Sequence, residues 1–180
     1  MKRLLLGILL AMPLAHSTLA QDVRPVAKVE LDRYVGTWYE IARFPNRFQE
    51  QCTGNVTAQY GKRADGEIDV VNRCSTKGGK TDEAAGRARV VDTASNARLK
   101  VRFAPDWLGW IPYVWADYWI IELADDYSHA AVGDPSREYL WILSRTPTMS
   151  AHEYETVVNR LTEQGFDTAK LVRTPQQDRQ

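Results

Sequence analysis

Histidine and cysteine are scarce in this sequence, and their scarcity removes whole classes of chemistry. The 180 residues include three histidines and two cysteines. Beyond residue 20 the histidines are His129 and His152, and neither has a partner at metal-ligand spacing. No metal and no cofactor is therefore expected, and both side chains read as ordinary surface or cap residues. Cys52 and Cys74 are not a Cys-x-x-Cys pair, which sets aside a redox motif. There is no Gly-x-Ser-x-Gly elbow, no phosphate-binding glycine loop and no His-Glu-x-x-His. A surplus of charge is missing too, with 23 Lys and Arg against 23 Asp and Glu. Nucleic acid is not an expected partner, because phosphate binding needs concentrated positive charge. The expectation is a protein that is not an enzyme.

Long apolar runs are absent as well. The longest, Leu4 to Leu14, has about 11 residues against the roughly 20 that a spanning helix needs. It follows Lys2-Arg3 and precedes Thr18-Leu19-Ala20, the pattern of a cleaved export signal over residues 1–20. A bacterial lipoprotein needs a cysteine at its first mature position. Gln21 stands there, and the first cysteine is Cys52. The expectation is an exported protein that is periplasmic, outer-membrane associated or secreted, and not lipid-anchored. Losing Lys2 and Arg3 leaves 21 basic and 23 acidic side chains, a net charge of about −2. Residues 21–180 are long enough for one domain with its own core.

What is present is a series of short strand patterns followed by one helix. Strands are expected over Thr37–Phe44, Thr53–Lys62, Glu67–Ser75, Gly86–Asp92, Arg98–Phe103, Trp115–Leu123, Ala130–Val132 and Tyr139–Ser144. The turns between them include Ala64-Asp65-Gly66, a strong hairpin signal. Such spacing suggests an all-β sandwich or barrel. Ser150-Ala151-His152-Glu153 has capping-box spacing. Tyr154, Val157, Val158 and Leu161 then share one helical face, and Gly165 supplies a stop.

Alternation places Trp38, Glu40, Ala42 and Phe44 on one side of the first strand. Val56, Ala58 and Tyr60 face Ile68, Val70 and Asn72 on the next two. Cys52 and Cys74 share that parity, which suits a disulfide near one end of the hairpin, with two buried free thiols as the alternative. A two-residue turn would not set them directly opposite, so a bridge requires a bulge or bend. Gly36 would let the chain turn tightly into the first strand. A guanidinium from Arg145 over the Trp38 indole would plug the end of a barrel while keeping its charge hydrogen-bonded.

With these residues in view, the sequence resembles the lipocalin family, in particular its bacterial outer-membrane and apolipoprotein D branch. Gly36-Thr37-Trp38-Tyr39-Glu40-Ile41-Ala42-Arg43 is similar to the family's Gly-x-Trp signature. Asp125-Asp126-Tyr127 is similar to the second, although Ala124 stands where threonine is usual, and Arg145 matches the third. Tyr139 to Pro147 and Gly165-Phe166-Asp167 are close to the bacterial branch. The resemblance spans residues 28–176. It implies an eight-stranded antiparallel up-and-down barrel, closed at one end, with a C-terminal helix on its outside. It also implies a small apolar ligand, a lysophospholipid or fatty acid, carried during envelope maintenance or stress.

Inward parity and the resemblance together nominate a cavity wall of Ala42, Phe44, Ala58, Tyr60, Val70, Val101, Phe103, Tyr118 and Trp141. Glu40 and Asn72 are inward polar positions suited to a headgroup or a structural water. Between two strands, Trp107-Leu108-Gly109-Trp110-Ile111-Pro112-Tyr113 puts aromatics where polar turn residues are usual. That loop either folds over the mouth or forms a lip that gates the ligand or touches a membrane, with Trp110 and Tyr113 at the ligand. The rival functions are a lipocalin-type enzyme, which would need an unpaired cysteine, and a protein-interaction module using the aromatic loop. The oligomeric expectation is a monomer or homodimer.

Overall fold

The computed structural model describes residues 22–177. The expected export signal at 1–20 lies outside the described residues. A short helical turn, α1 (Leu31–Tyr34), leads into β1 (Gly36–Arg43). Seven more strands follow: β2 (Cys52–Lys62), β3 (Ile68–Thr76), β4 (Thr81–Val90), β5 (Arg98–Arg102), β6 (Ala116–Leu123), β7 (His129–Gly133) and β8 (Leu140–Ser144). Helix α2 (Ala151–Glu163) and a two-residue strand β9 (Val172–Arg173) end the chain. Each of β1 to β8 pairs antiparallel with its sequence neighbour, and β8 pairs with β1. The sheet is thus the expected closed eight-stranded barrel.

Two apolar layers sort the side chains. Inside the barrel, Trp38, Tyr60, Ile68, Val70, Ala88, Leu99, Ile120, Val132 and Leu143 pack with Val29 and Tyr34 from the segment that crosses its closed end. Outside, Val157 and Leu161 of α2 and the following Phe166 pack on Ile41, Ala42, Phe44, Ile121, Ala131, Leu140 and Ile142. The helix starts where its sequence says it should. Ser150 Oγ accepts from the Glu153 amide at 3.2 Å, and the Glu153 carboxylate accepts from the Ser150 amide at 3.1 Å.

A bulge overturns one expectation. Along the β1–β8 ladder, Glu40 faces Leu143 and Ala42 faces Ile142, so Ile41 is an extra residue. Beyond it the parity flips. Ala42 and Phe44 point outward under α2, with Phe44 against Phe166 at 6.4 Å between ring centres. Arg43 takes the inward position beside Trp141. Ala42 and Phe44 are therefore not cavity wall.

Cys52 and Cys74 form a disulfide with Cα atoms 5.6 Å apart. The β2–β3 ladder slips between Cys52 and Gly54 and again between Gly54 and Thr57, which supplies the offset the bridge requires. The free-thiol alternative does not hold. Past Tyr39, β1 and β2 part, and the C-terminal segment closes the gap. β9 pairs with Ala42 and Arg43, and Gln176 Nε2 donates to the carbonyls of Glu40 and Val56 at 2.8 and 2.9 Å.

Candidate functional site

The closed end is built on one indole. Trp38 is fully buried, and its Nε1 donates to the Tyr34 carbonyl at 2.8 Å. The Arg145 guanidinium lies 3.8 Å from the ring centre and donates to the carbonyls of Thr37, Arg33 and Tyr34. Burial pulls its pKa down from the usual value, but arginine starts so high that it stays charged. Gly36, at φ +100°, passes beneath it, where a Cβ would sit 3.3 Å from the guanidinium nitrogen. Tyr127 of the second signature ties on from below, accepting from the Glu30 amide at 2.9 Å. Asp126 accepts from the Ser128 amide and serves as a turn former.

Above the plug, α1, β2 and β6 bring three tyrosines together. Tyr118 Oη lies 2.9 Å from Tyr34 Oη and 2.8 Å from Tyr60 Oη. Burial pushes Tyr60 up to about 12 and raises Tyr34 and Tyr118 as well, so all three are neutral donors near pH 7. With Leu31, Val35, Ile68, Val70, Ala88, Leu99 and Val101 they enclose a space of about 10 Å³, room for one oxygen-sized group.

Toward the other end the interior opens. On β4 the inward Ala88 is buried, Gly86 is half-buried, and Ala84 is exposed, as is the inward Ala116 on β6. The rim there is polar. Buried Glu40 accepts from Gln49 Nε2 at 2.6 Å, from Arg43 at 3.2 Å and from the Thr174 hydroxyl. Gln49 Oε1 accepts in turn from the Trp141 indole at 2.9 Å. Tyr139 stacks on Trp141, with ring centres 5.9 Å apart and planes 6° apart. Glu40 thus braces the opening where β1 and β2 part.

The profile of the lipocalin-like domain matches residues 29–176. The chain belongs to the lipocalin family. Temperature-induced lipocalin-1 of Arabidopsis thaliana is 42% identical over 160 residues, spanning 88% of this chain and 85% of that one. Outer membrane lipoprotein Blc of Vibrio cholerae is 40% identical over 159 residues, spanning 87% and 88%. Apolipoprotein D of Mus musculus is 30% identical over 156 residues, spanning 82% and 77%, so the branch is that of Blc and apolipoprotein D. Insecticyanin from Manduca sexta shares the fold, with a TM-score of 0.68 at 20% identity over 89% of this chain and 87% of that one.

In this lipocalin the barrel gathers Ala58, Tyr60, Val70, Val101, Tyr118 and Trp141 on its inner side, as nominated from the sequence. Asn72 faces inward between Ala58 and Ala84 on the flanking strands, and its Oδ1 is buried without a hydrogen-bond partner among the described residues. Phe103 lies at the rim, 45% exposed, its ring against Gly86 so closely that a Cβ there would come within 2.7 Å. Leu31 and Tyr34 of α1, and Val35 just after it, were missed because they do not come from a strand. Their signal is a short helical turn that ends just before Gly36.

The aromatic loop is well anchored. Trp115 Nε1 donates to the Gly109 carbonyl at 2.8 Å, and Arg89 and Arg102 lie 4.2 and 5.1 Å from the centre of the Trp115 ring. Arg102 also donates to the Asp106 carboxylate at 2.6 Å. Held this way, Trp107, Trp110 and Tyr113 are 73%, 80% and 98% exposed. Their rings do not plug the mouth, and Trp110 and Tyr113 stand away from the inner wall.

Proposed function

We propose that the protein carries a single-chain lipid, a lysophospholipid or fatty acid, inside the barrel. The observation that carries this reading is an apolar interior sealed at one end by Trp38 and Arg145 and opening to solvent at the other. Each methylene moved from water to such a wall contributes about 0.8 kcal/mol, so a long chain outweighs the ordering costs of association. The bridged Cys52 and Cys74 and a Glu40 held by three donors support a binder's reading over an enzyme's. We place it outside the cytoplasm, where the bridge persists. Several relatives are named outer membrane lipoproteins. The exposed Trp107, Trp110 and Tyr113 offer an aromatic surface for membrane contact.

Native mass spectrometry of the protein purified from a bacterial host, followed by solvent extraction, tests the carrier reading. A co-purified lysophospholipid or fatty acid is the expected result. An empty barrel whose tryptophan fluorescence does not respond to added lysophosphatidylcholine or oleate would overturn it.

A further inference from the structure

The end of β1 and the segment that joins it to β2 carry charge at the open end of the barrel. Arg43, Arg47, Gln49 and Glu50 help line a groove of about 300 Å³ there, within the size range of small-ligand sites. The Arg43 guanidinium uses one nitrogen, Nη1, on Glu40 and Thr174. Its Nε is buried and donates to nothing, and its Nη2 makes no hydrogen bond among the described residues. Arg47 lies over the Phe48 ring at 5.1 Å, and neither Arg47 nor Glu50 has an ion-pair partner among the described residues. The groove adjoins the interior through Gln49, whose side chain accepts from the Trp141 indole at 2.9 Å. Phe48 packs on Tyr139 at 5.9 Å, and Tyr139 stacks on Trp141. Three rings thus run from the exposed Phe48 to the inner wall.

The balance of charge decides what kind of group fits. Arg43 and Arg47 are matched by Glu50 in the groove and by Glu40 behind it, so the signs cancel. A bare anion would meet two arginines but also two carboxylates, and a neutral group would answer neither sign. A group with a phosphate and an amine answers both, and the planar arginine fork matches phosphate oxygens. We propose that this groove holds the zwitterionic phosphate ester of a single-chain lipid, its phosphate at Arg43 and Arg47 and its amine at Glu50. The chain then follows Phe48, Tyr139 and Trp141 into the barrel. The inference rests on the carrier reading and narrows it to lipids whose head carries both charges.

The test uses palmitoyl lysophosphatidylethanolamine, palmitoyl lysophosphatidic acid and monopalmitoylglycerol, which share one acyl chain and differ in the head. Each is titrated as a monomer into the full protein and followed by calorimetry. One charge-assisted bond predicts roughly 10-fold tighter binding of the zwitterion than of the neutral glyceride, with the advantage shrinking in high salt. Arg47→Ala should cut that ratio severalfold. Glu50→Gln should shift selectivity among the two phosphates toward lysophosphatidic acid, an effect that damage to the fold would not produce. Arg43→Met should abolish the preference for the zwitterion, and the exposed Arg47 and Glu50 keep the test decisive if that variant fails to fold. Equal affinity for all three lipids would overturn the groove's role and leave the carrier reading standing. Selectivity unchanged in both Arg47→Ala and Glu50→Gln would overturn it as well, as would free phosphoethanolamine bound as tightly as the lipid. Binding of none of the lipids would bring down the carrier reading and the headgroup site with it.

Discussion

Arg145 covers Trp38, with its guanidinium 3.8 Å from the centre of the indole ring, while its N–H groups reach three carbonyls of the chain that enters β1. One side chain thus both shields the buried ring and satisfies the backbone around it. Arg145→Gln should lower stability by about 2–3 kcal/mol, the worth of charge-assisted bonds to otherwise unmet carbonyls. Arg145→Lys should fall between, because an ammonium keeps the charge but not the planar fork. Urea denaturation ranks the three proteins, and a lysine variant equal to wild type would show that charge alone suffices.

The tyrosine trio predicts an unusual order of stabilities. Tyr118→Phe leaves the Tyr34 and Tyr60 hydroxyls buried without each other's bridge, at a cost of about 1–3 kcal/mol. Y34F/Y60F/Y118F removes every partner at once with the same ring shapes and should cost less than the single change. A triple variant at least as damaged as Tyr118→Phe in chemical denaturation would contradict this.

The same trio predicts a loss of stability in alkali. Tyr60 titrates at about 12 in the folded barrel and near 10 when unfolded, so between those values the unfolded chain holds fewer protons. Its contribution is therefore intact below pH 10 and is lost as pH rises toward 12, at about 1.4 kcal/mol per pH unit. Tyr34 and Tyr118, raised by the same burial, act in the same direction. Thermal melts between pH 9 and 12 should show a steeper decline for wild type than for the triple phenylalanine variant.

The sequence was legible wherever one rule governed a run of residues. Parity carried Trp38, Tyr60, Val70, Val101 and Tyr118 to the inner face, and the Ser150–Glu153 box set the start of α2. It failed at Ile41, because a bulge leaves no mark in composition yet reverses every later side chain of the strand. The start of β4 was missed because Thr81 to Ala85, polar or small and exposed, have no apolar face to alternate. β9 was invisible for a different reason. Two residues have no period, and their place follows from the parting of β1 and β2 higher in the wall. The tyrosine trio needed the three-dimensional register, since its members lie far apart in sequence on α1, β2 and β6.

The bulge separates stability from binding at neighbouring residues. Phe44, outside under α2, should on substitution by alanine cost about 3–5 kcal/mol and leave the folded protein's lipid affinity unchanged. Trp141→Ala, on the inner wall three positions from Arg145's neighbour Ser144, should weaken lipid binding as well. If Phe44→Ala reduced lipid affinity as much as Trp141→Ala did, the outward placement of Phe44 would be wrong.

The lip gives the last prediction. Trp107, Trp110 and Tyr113 present aromatic surface to solvent on a loop pinned by Trp115, Arg102 and Asp106. Amphipathic rings of this kind partition into the headgroup region of a bilayer. Because they stand clear of the inner wall, W107S/W110S should leave affinity for monomeric lysophospholipid unchanged. The same variant should bind phosphatidylcholine vesicles roughly fivefold more weakly or worse in sedimentation assays, and take up lipid from vesicles more slowly. Equal vesicle binding by the two proteins would assign the aromatics to a protein partner, which a pull-down insensitive to delipidation would then reveal. A loss of lysophospholipid affinity in vesicle-free solution would instead place the lip at the ligand, as a gate over the open end.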